Sequence, residues 1–149
     1  MITREADYAL RAVLELAAGT GGRSAAELAR ATQVPYPFMR RVLARLTAAG
    51  LVRSLRGRSG GVRLTRPATD LSLLEVLSVM DADTVTLNAC LREGADCSRS
   101  SWCAAHAALA VVQQELWHRL AAISIASLVQ AEQAIKPRNK TQTTPRRKP

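Results

Sequence analysis

Val34 to Arg66 reads VPYPFMRRVLARLTAAGLVRSLRGRSGGVRLTR, and its two halves have different periodicities. Phe38, Met39, Val42, Leu43 and Leu46 recur at helical spacing, which predicts an amphipathic helix. Pro35 and Pro37 suit its start, where a missing amide hydrogen removes no intrahelical bond. Gly50 suits its end. From Leu51 the period changes to two. Leu51–Leu55 and Val62–Leu64 read as strands around the turn Arg56-Gly57-Arg58-Ser59-Gly60-Gly61. The stretch is a helix followed by a hairpin with arginines at its tip.

Upstream, Ala6, Leu10, Val13, Leu14 and Ala17 make a helical stripe over Thr3–Ala18, which Gly19, Gly21 and Gly22 end. Ser24-Ala25-Ala26-Glu27 is a capping-box pattern: the Ser24 hydroxyl accepts from the Glu27 amide while Glu27 reaches back. The short helix it opens turns Leu28 and Ala29 inward, and Thr32-Gln33-Val34 is the turn that follows. Helix, short helix, turn, amphipathic helix and hairpin is the order of a winged helix-turn-helix domain, expected over residues 1–67. Arg40, Arg41 and Arg45 lie off the apolar stripe of the third helix and can meet phosphates or base edges. Tyr36 at its start, with Arg56, Arg58, Ser59 and Gly60 of the turn, completes the candidate DNA contacts. Arginine at a hairpin tip suits a narrow minor groove, where negative potential concentrates. The plain alternative for any one arginine is a solvated face, and winged helices also serve as protein-binding modules.

Charge agrees with this division. Residues 1–67 hold 12 Arg and 4 acidic residues, a net of +8. Residues 68–135 hold 3 Arg and 8 acids, a net of −5, and residues 136–149 hold 6 basic residues and no acid. A basic head of this kind fits a polyanion partner, nucleic acid first. The tail KPRNKTQTTPRRKP lacks large apolar residues and is expected to be disordered. Apolar runs fall short of a membrane span, and Arg4, Glu5 and Asp7 interrupt any secretory signal, so the expected compartment is the cytoplasm. Neither histidine sits in a nucleophile–base pattern and the glycine run fits a hairpin turn, so an enzyme is not expected.

Downstream, residues 68–87 read as a connecting helix and loop. Ser72-Leu73-Leu74-Glu75 is a second capping box, and Asp81 and Asp83 mark the loop. Residues 88–104 carry Cys90, Cys97 and Cys103 in the pattern C-x6-C-x5-C, with Gly94, Ser98, Ser100 and Ser101 giving loop character. Thiolates are soft ligands for iron–sulfur clusters, copper(I) or zinc. His106 lies about one helical turn beyond Cys103 and can share their site. Core filling, a disulfide with one spare thiol, and a three-Cys, one-His zinc site are the alternatives. From Ala104 to Ala134, Leu109, Val112, Leu116, Leu120, Ile123 and Ser127 recur at helical spacing. One helix of that length spans about 45 Å, too long for a small domain to cover, which predicts pairing with a second copy over residues 105–135.

The Val34–Arg66 stretch, the opening TREADYALRAVLELA and the run Gly50–Gly61 resemble the Rrf-type winged-helix regulators, the group containing IscR, NsrR and RirA. The resemblance covers about residues 1–135. It implies a mostly α fold: a winged helix-turn-helix domain with a small β-hairpin wing, plus a long C-terminal dimerisation helix. It implies a homodimeric repressor whose third helix and wing read the two grooves of a double-stranded operator. It further implies an iron–sulfur cluster on Cys90, Cys97 and Cys103 that senses iron, nitric oxide or redox state. The fourth ligand maps to His106 in the IscR pattern, which suits a 2Fe–2S cluster. In the NsrR pattern it maps to Asp7 donated by the partner subunit, which suits 4Fe–4S. Pro35 and Pro37 replace the serine seen in IscR-like members, which leaves the operator sequence open.

Overall fold

The computed structural model describes residues 2–55, 57, 60–80 and 85–135. The helix α1 (Arg4–Ala18) is capped by Thr3, whose hydroxyl accepts from the Ala6 amide at 3.2 Å. Its buried face is Ala6, Ala9, Ala12, Val13 and Leu16. Leu10, Leu14 and Ala17, expected to face inward, only lean against the core. The reason is size: with alanine at three buried positions, α1 lets neighbouring helices approach closely. It packs against α2 (Ala25–Thr32), α3 (Tyr36–Ala48), α4 (Leu73–Met80) and α6 (Ile125–Ile135).

Both bonds of the first capping box form: the Ser24 amide donates to Glu27 at 2.7 Å, and the Glu27 amide donates to Ser24 Oγ at 3.2 Å. Leu28 and Ala29 are buried as expected, and Gln33 makes the turn in the left-handed conformation at φ 57°. Pro35 caps α3 and Pro37 is its second residue. Met39, Val42, Leu43 and Leu46 form the buried stripe, but Phe38 does not join it and is 41% exposed. At the first turn of α3 its neighbour is the Tyr8 ring, met edge-on at 6.0 Å.

The wing is the antiparallel pair β1 (Val52–Leu55) and β2 (Gly61–Leu64), in the register Val52↔Leu64, Arg53↔Arg63, Ser54↔Val62 and Leu55↔Gly61. The free edge of β2 is tied to the α1–α2 loop at Val62. The Arg23 amide donates to the Val62 carbonyl at 3.1 Å, and the Val62 amide donates back at 2.8 Å. Gly61 makes this approach possible: its φ is +120°, and a Cβ there would lie 2.8 Å from the Arg23 nitrogen. The expected contacts Arg56, Arg58 and Ser59 lie outside the described residues, as do the Asp81–Asp83 loop and the 136–149 tail.

The expected single helix over Ala104–Ala134 is two helices, α5 (Ala104–Ala122) and α6. The break is a backbone bridge back to the head. The Leu73 amide donates to the Ile123 carbonyl at 2.9 Å, and the Ile125 amide donates to the Leu71 carbonyl at 2.8 Å. Ile123 is therefore extended rather than helical. Ser124 opens α6 by accepting from the Ser127 amide at 3.1 Å, so Ser127 belongs to a cap and not to an apolar stripe. At 19 residues α5 spans about 28 Å. Ile125 and Val129 of α6 are buried against α1 and the turn Ala68–Asp70. Among the described residues no helix is long and apolar enough to cross a membrane.

Candidate functional site

The outer face of α3 is basic. Arg40, Arg41 and Arg45 are exposed, as is Tyr36 at 48%. No acid occurs between Tyr36 and Ala48, so any counter-charge must come from another element. Glu5 of α1 supplies it. Its Oε1 lies 3.2 Å from Arg41 Nη1 and its Oε2 lies 3.0 Å from Arg45 Nη1. The Arg41 guanidinium also sits 5.5 Å from the centre of the Phe38 ring. Gly60 is half-buried and its amide closes the wing turn onto the Gly57 carbonyl at 2.9 Å. In the wing stem Arg53 and Arg63 stand directly opposite. Opposite residues of an antiparallel pair share a face and like charges there repel, which an anion laid against them would relieve.

The cysteine segment is built differently. Cys90 sits in the turn Ala89–Leu91, Cys97 in the following loop, and Cys103 at the N-cap of α5. All three thiols are free and half-buried. Cys103 Sγ accepts from the His106 amide at 3.4 Å. Residues 86–103 include no buried residue. Local turns hold them, such as Ser100 N–H to Cys97 O at 3.0 Å and Trp102 N–H to Arg99 O at 3.1 Å. Cys90 and Cys97 line one open cleft of about 690 Å³ with Arg92, Asp96 and Arg99, which Cys103 does not line.

Among the described residues no three Cys, His, Asp or Glu side chains come together as a metal site. The fold thus places the expected donors along one segment without converging them. Asp7, the alternative donor, pairs with Arg11 at 2.9 Å. His106 Nδ1 is buried and has no hydrogen-bond partner among the described residues. The donor set itself, three thiols and an unpartnered imidazole nitrogen, suits a soft metal or cluster.

The upstream end of this segment is fastened to α5. Gln113 is the buried polar residue of that helix. Its Nε2 donates to the Val85 carbonyl at 2.6 Å and its Oε1 accepts from the Leu87 amide at 2.7 Å. Trp117 Nε1 also donates to the Val85 carbonyl, at 3.2 Å.

The family model described as "Rrf2: Iron-dependent Transcriptional regulator" matches residues 2–131. The chain belongs to the Rrf2 family. Protein aau3 of Rhizobium meliloti (strain 1021) is 36% identical over 136 residues, covering 90% of this chain and 88% of that protein. An rrf2-like HTH-type transcriptional regulator of Rhodobacter capsulatus is 35% identical over 113 residues, covering 69% and 75%. Among solved structures, T. potens IscR matches with a TM-score of 0.68 at 25% identity, covering 92% of each chain. CymR, the global cysteine regulator of B. subtilis, matches with a TM-score of 0.68 at 20% identity, covering 88% of this chain and 97% of its own, and so shares the fold. This Rrf2 protein is a winged-helix, DNA-binding transcriptional regulator and not an enzyme.

Sequence reasoning passed over two residues of the site. Glu5 was visible only as an acid interrupting an N-terminal apolar run, yet α3 carries three arginines and no acid; an acid-free, arginine-bearing helix is the available signal. Gln113 was an uncharged residue inside a long apolar pattern, and a polar residue buried on a helix was the signal there.

Proposed function

We propose that this Rrf2 protein is an iron–sulfur-cluster-dependent repressor that acts as a homodimer on double-stranded operator DNA in the cytoplasm. The observation that carries the reading is the cysteine segment. Three free thiols lie on a stretch without a fully buried residue that ends at the N-cap of α5, with His106 Nδ1 just beyond, buried and without a hydrogen-bond partner among the described residues. Cys90, Cys97 and Cys103 are the proposed ligands, with His106 or Asp7 of the partner subunit as the fourth. A bound cluster would supply a centre that responds to redox state, iron supply or nitric oxide.

The chain's own residues then connect the segment to the DNA-reading head. Drawing Cys90 and Cys97 toward Cys103 requires the local turns between them to rearrange. Gln113 and Trp117 hold the upstream end of the segment on α5. The downstream end is the first turn of α5 itself. A change in the segment therefore bears on α5, whose far end meets the head at the Ser72–Ser124 bridge. Val111 and Val112 of α5 are more than half exposed, which supports α5 as the surface that pairs two copies. Arg40, Arg41, Arg45 and Tyr36 of α3, and Arg56, Arg58, Ser59 and Gly60 of the wing, are the proposed DNA contacts. A coupling of about 1–3 kcal/mol between segment and head changes operator affinity by about 5- to 150-fold.

The test is an anaerobic visible spectrum of fresh protein with iron and acid-labile sulfide counted per chain. Charge-transfer bands with matching iron and sulfide are expected. Cys97→Ala should lose both, and the operator response with them, while keeping the fold. A colourless protein that resists anaerobic reconstitution overturns the cluster, leaving the cysteines as redox thiols or zinc ligands on a DNA-binding head.

A further inference from the structure

We propose that Glu5 is an intramolecular competitor of DNA phosphate for Arg41 and Arg45, an autoinhibitory contact that lowers the affinity of α3 for any duplex and flattens its salt dependence. The inference rests on α3 being the DNA-reading helix. Arg41 and Arg45 stand one helical turn apart, so both reach one carboxylate, and each takes one of its oxygens, at 3.2 and 3.0 Å. The same spacing lets both face one stretch of DNA backbone. The pairs are accessible: the side chains of Arg41, Arg45 and Glu5 are 63%, 45% and 32% exposed. Surface pairs of this kind are weak, so a duplex can displace the carboxylate rather than be barred by it.

Phosphate attraction is independent of sequence, whereas base-edge contacts are not. Random DNA and an operator both present phosphates to α3, so both carry the cost of displacing Glu5. Base contacts add to operator affinity whether or not Glu5 is there, and the ratio of operator to random affinity is left nearly unchanged. A cation already matched to a carboxylate also gives less counterion release when it meets phosphate, so the salt dependence is shallower than the arginines alone would make it.

The experiment compares full-length wild type with Glu5→Gln over a salt series. One probe is a short duplex of random sequence; the other is the duplex that wild type selects from a random pool. Glu5→Gln should bind the random duplex about 3- to 10-fold more tightly at low salt, with a log–log salt slope steeper by about 1 to 2. Its gain on the selected duplex should be of similar size, so the ratio of selected to random affinity stays nearly constant. Unchanged affinity and slope on the random duplex overturn the role of Glu5. The double variant Arg41→Ala, Arg45→Ala separates that failure from a failure of the α3 reading. Weaker binding to both duplexes upholds α3 as the DNA face, and wild-type binding to both overturns α3 and Glu5 together.

Discussion

The reading head and the cysteine segment are neighbours with opposite constructions. The head closes around a core in which Ala9, Val13, Leu28, Met39, Leu46, Val76 and Leu77 are wholly buried. The cysteine segment, residues 86–103, has no fully buried residue and holds its shape through short-range turns and its two ends. Burial orders the first, because apolar area removed from water stabilises one arrangement over others. It cannot order the second. The segment with the densest chemistry therefore has the least packing to resist a change of shape.

The sharpest way to break this contrast is to cut the core and the segment in turn. Leu46→Ala should cost about 2–5 kcal/mol in urea unfolding, because it leaves a cavity where α3 meets the rest of the head. Gln113→Ala should cost about 1–3 kcal/mol by leaving the Val85 carbonyl and Leu87 amide without their partner. It should also shift Trp117 emission, and unchanged emission would mean that the segment is not fastened there. Ser72→Ala removes the cap of α4 and should cost about 1 kcal/mol in thermal or urea unfolding.

The two capping boxes also set an acid limit. The Ser72 backbone N–H holds the Glu75 carboxyl below its usual range; partial burial opposes this and Arg66 adds to it. Ser24 acts on Glu27 in the same sense, first through its backbone N–H. Carboxylates with lowered folded values contribute stability that is present above the usual glutamate range and is lost as pH falls through the folded values. Replacing both by Gln should flatten the fall in stability on acidification, measured by unfolding at successive pH values. The smallest effect belongs to the segment: Cys97→Ala should change apoprotein stability by less than about 0.5 kcal/mol. A loss as large as that of Leu46→Ala would erase the distinction between the two regions.

Local rules carried much of the fold. The capping boxes at Ser24 and Ser72, the turn at Gln33, the proline start of α3 and the hairpin all form where spacing and residue type place them. What escaped depends on partners far along the chain. Apolar residues surround much of α1, so periodicity alone could not choose between the Leu10–Leu14 and Ala9–Val13 faces; the approach of α3 and α4 chose. The apolar pattern runs unbroken through Ile123 and Ile125, and only the pairing with Leu71 and Leu73 breaks the helix there. For the site, the candidate residues were visible by type, whereas the Glu5 pairs and the separation of Cys103 from the Cys90–Cys97 cleft are matters of three-dimensional placement.

The Ser72–Ser124 bridge has a topological consequence. After α5 the chain rejoins the head beside the start of α4, through a doorway two hydrogen bonds wide. Residues 85–122 form an excursion between α4, which packs on α1, and the return at Ser124 beside the start of α4. Such an excursion can lengthen, shorten or exchange its cysteine spacing without moving the points where it joins the head. A change in the length of the C-x6-C gap is then a local edit. Conversely, a cut after residue 80 would not release an intact head, because Ile125 and Val129 return through that doorway to complete its core.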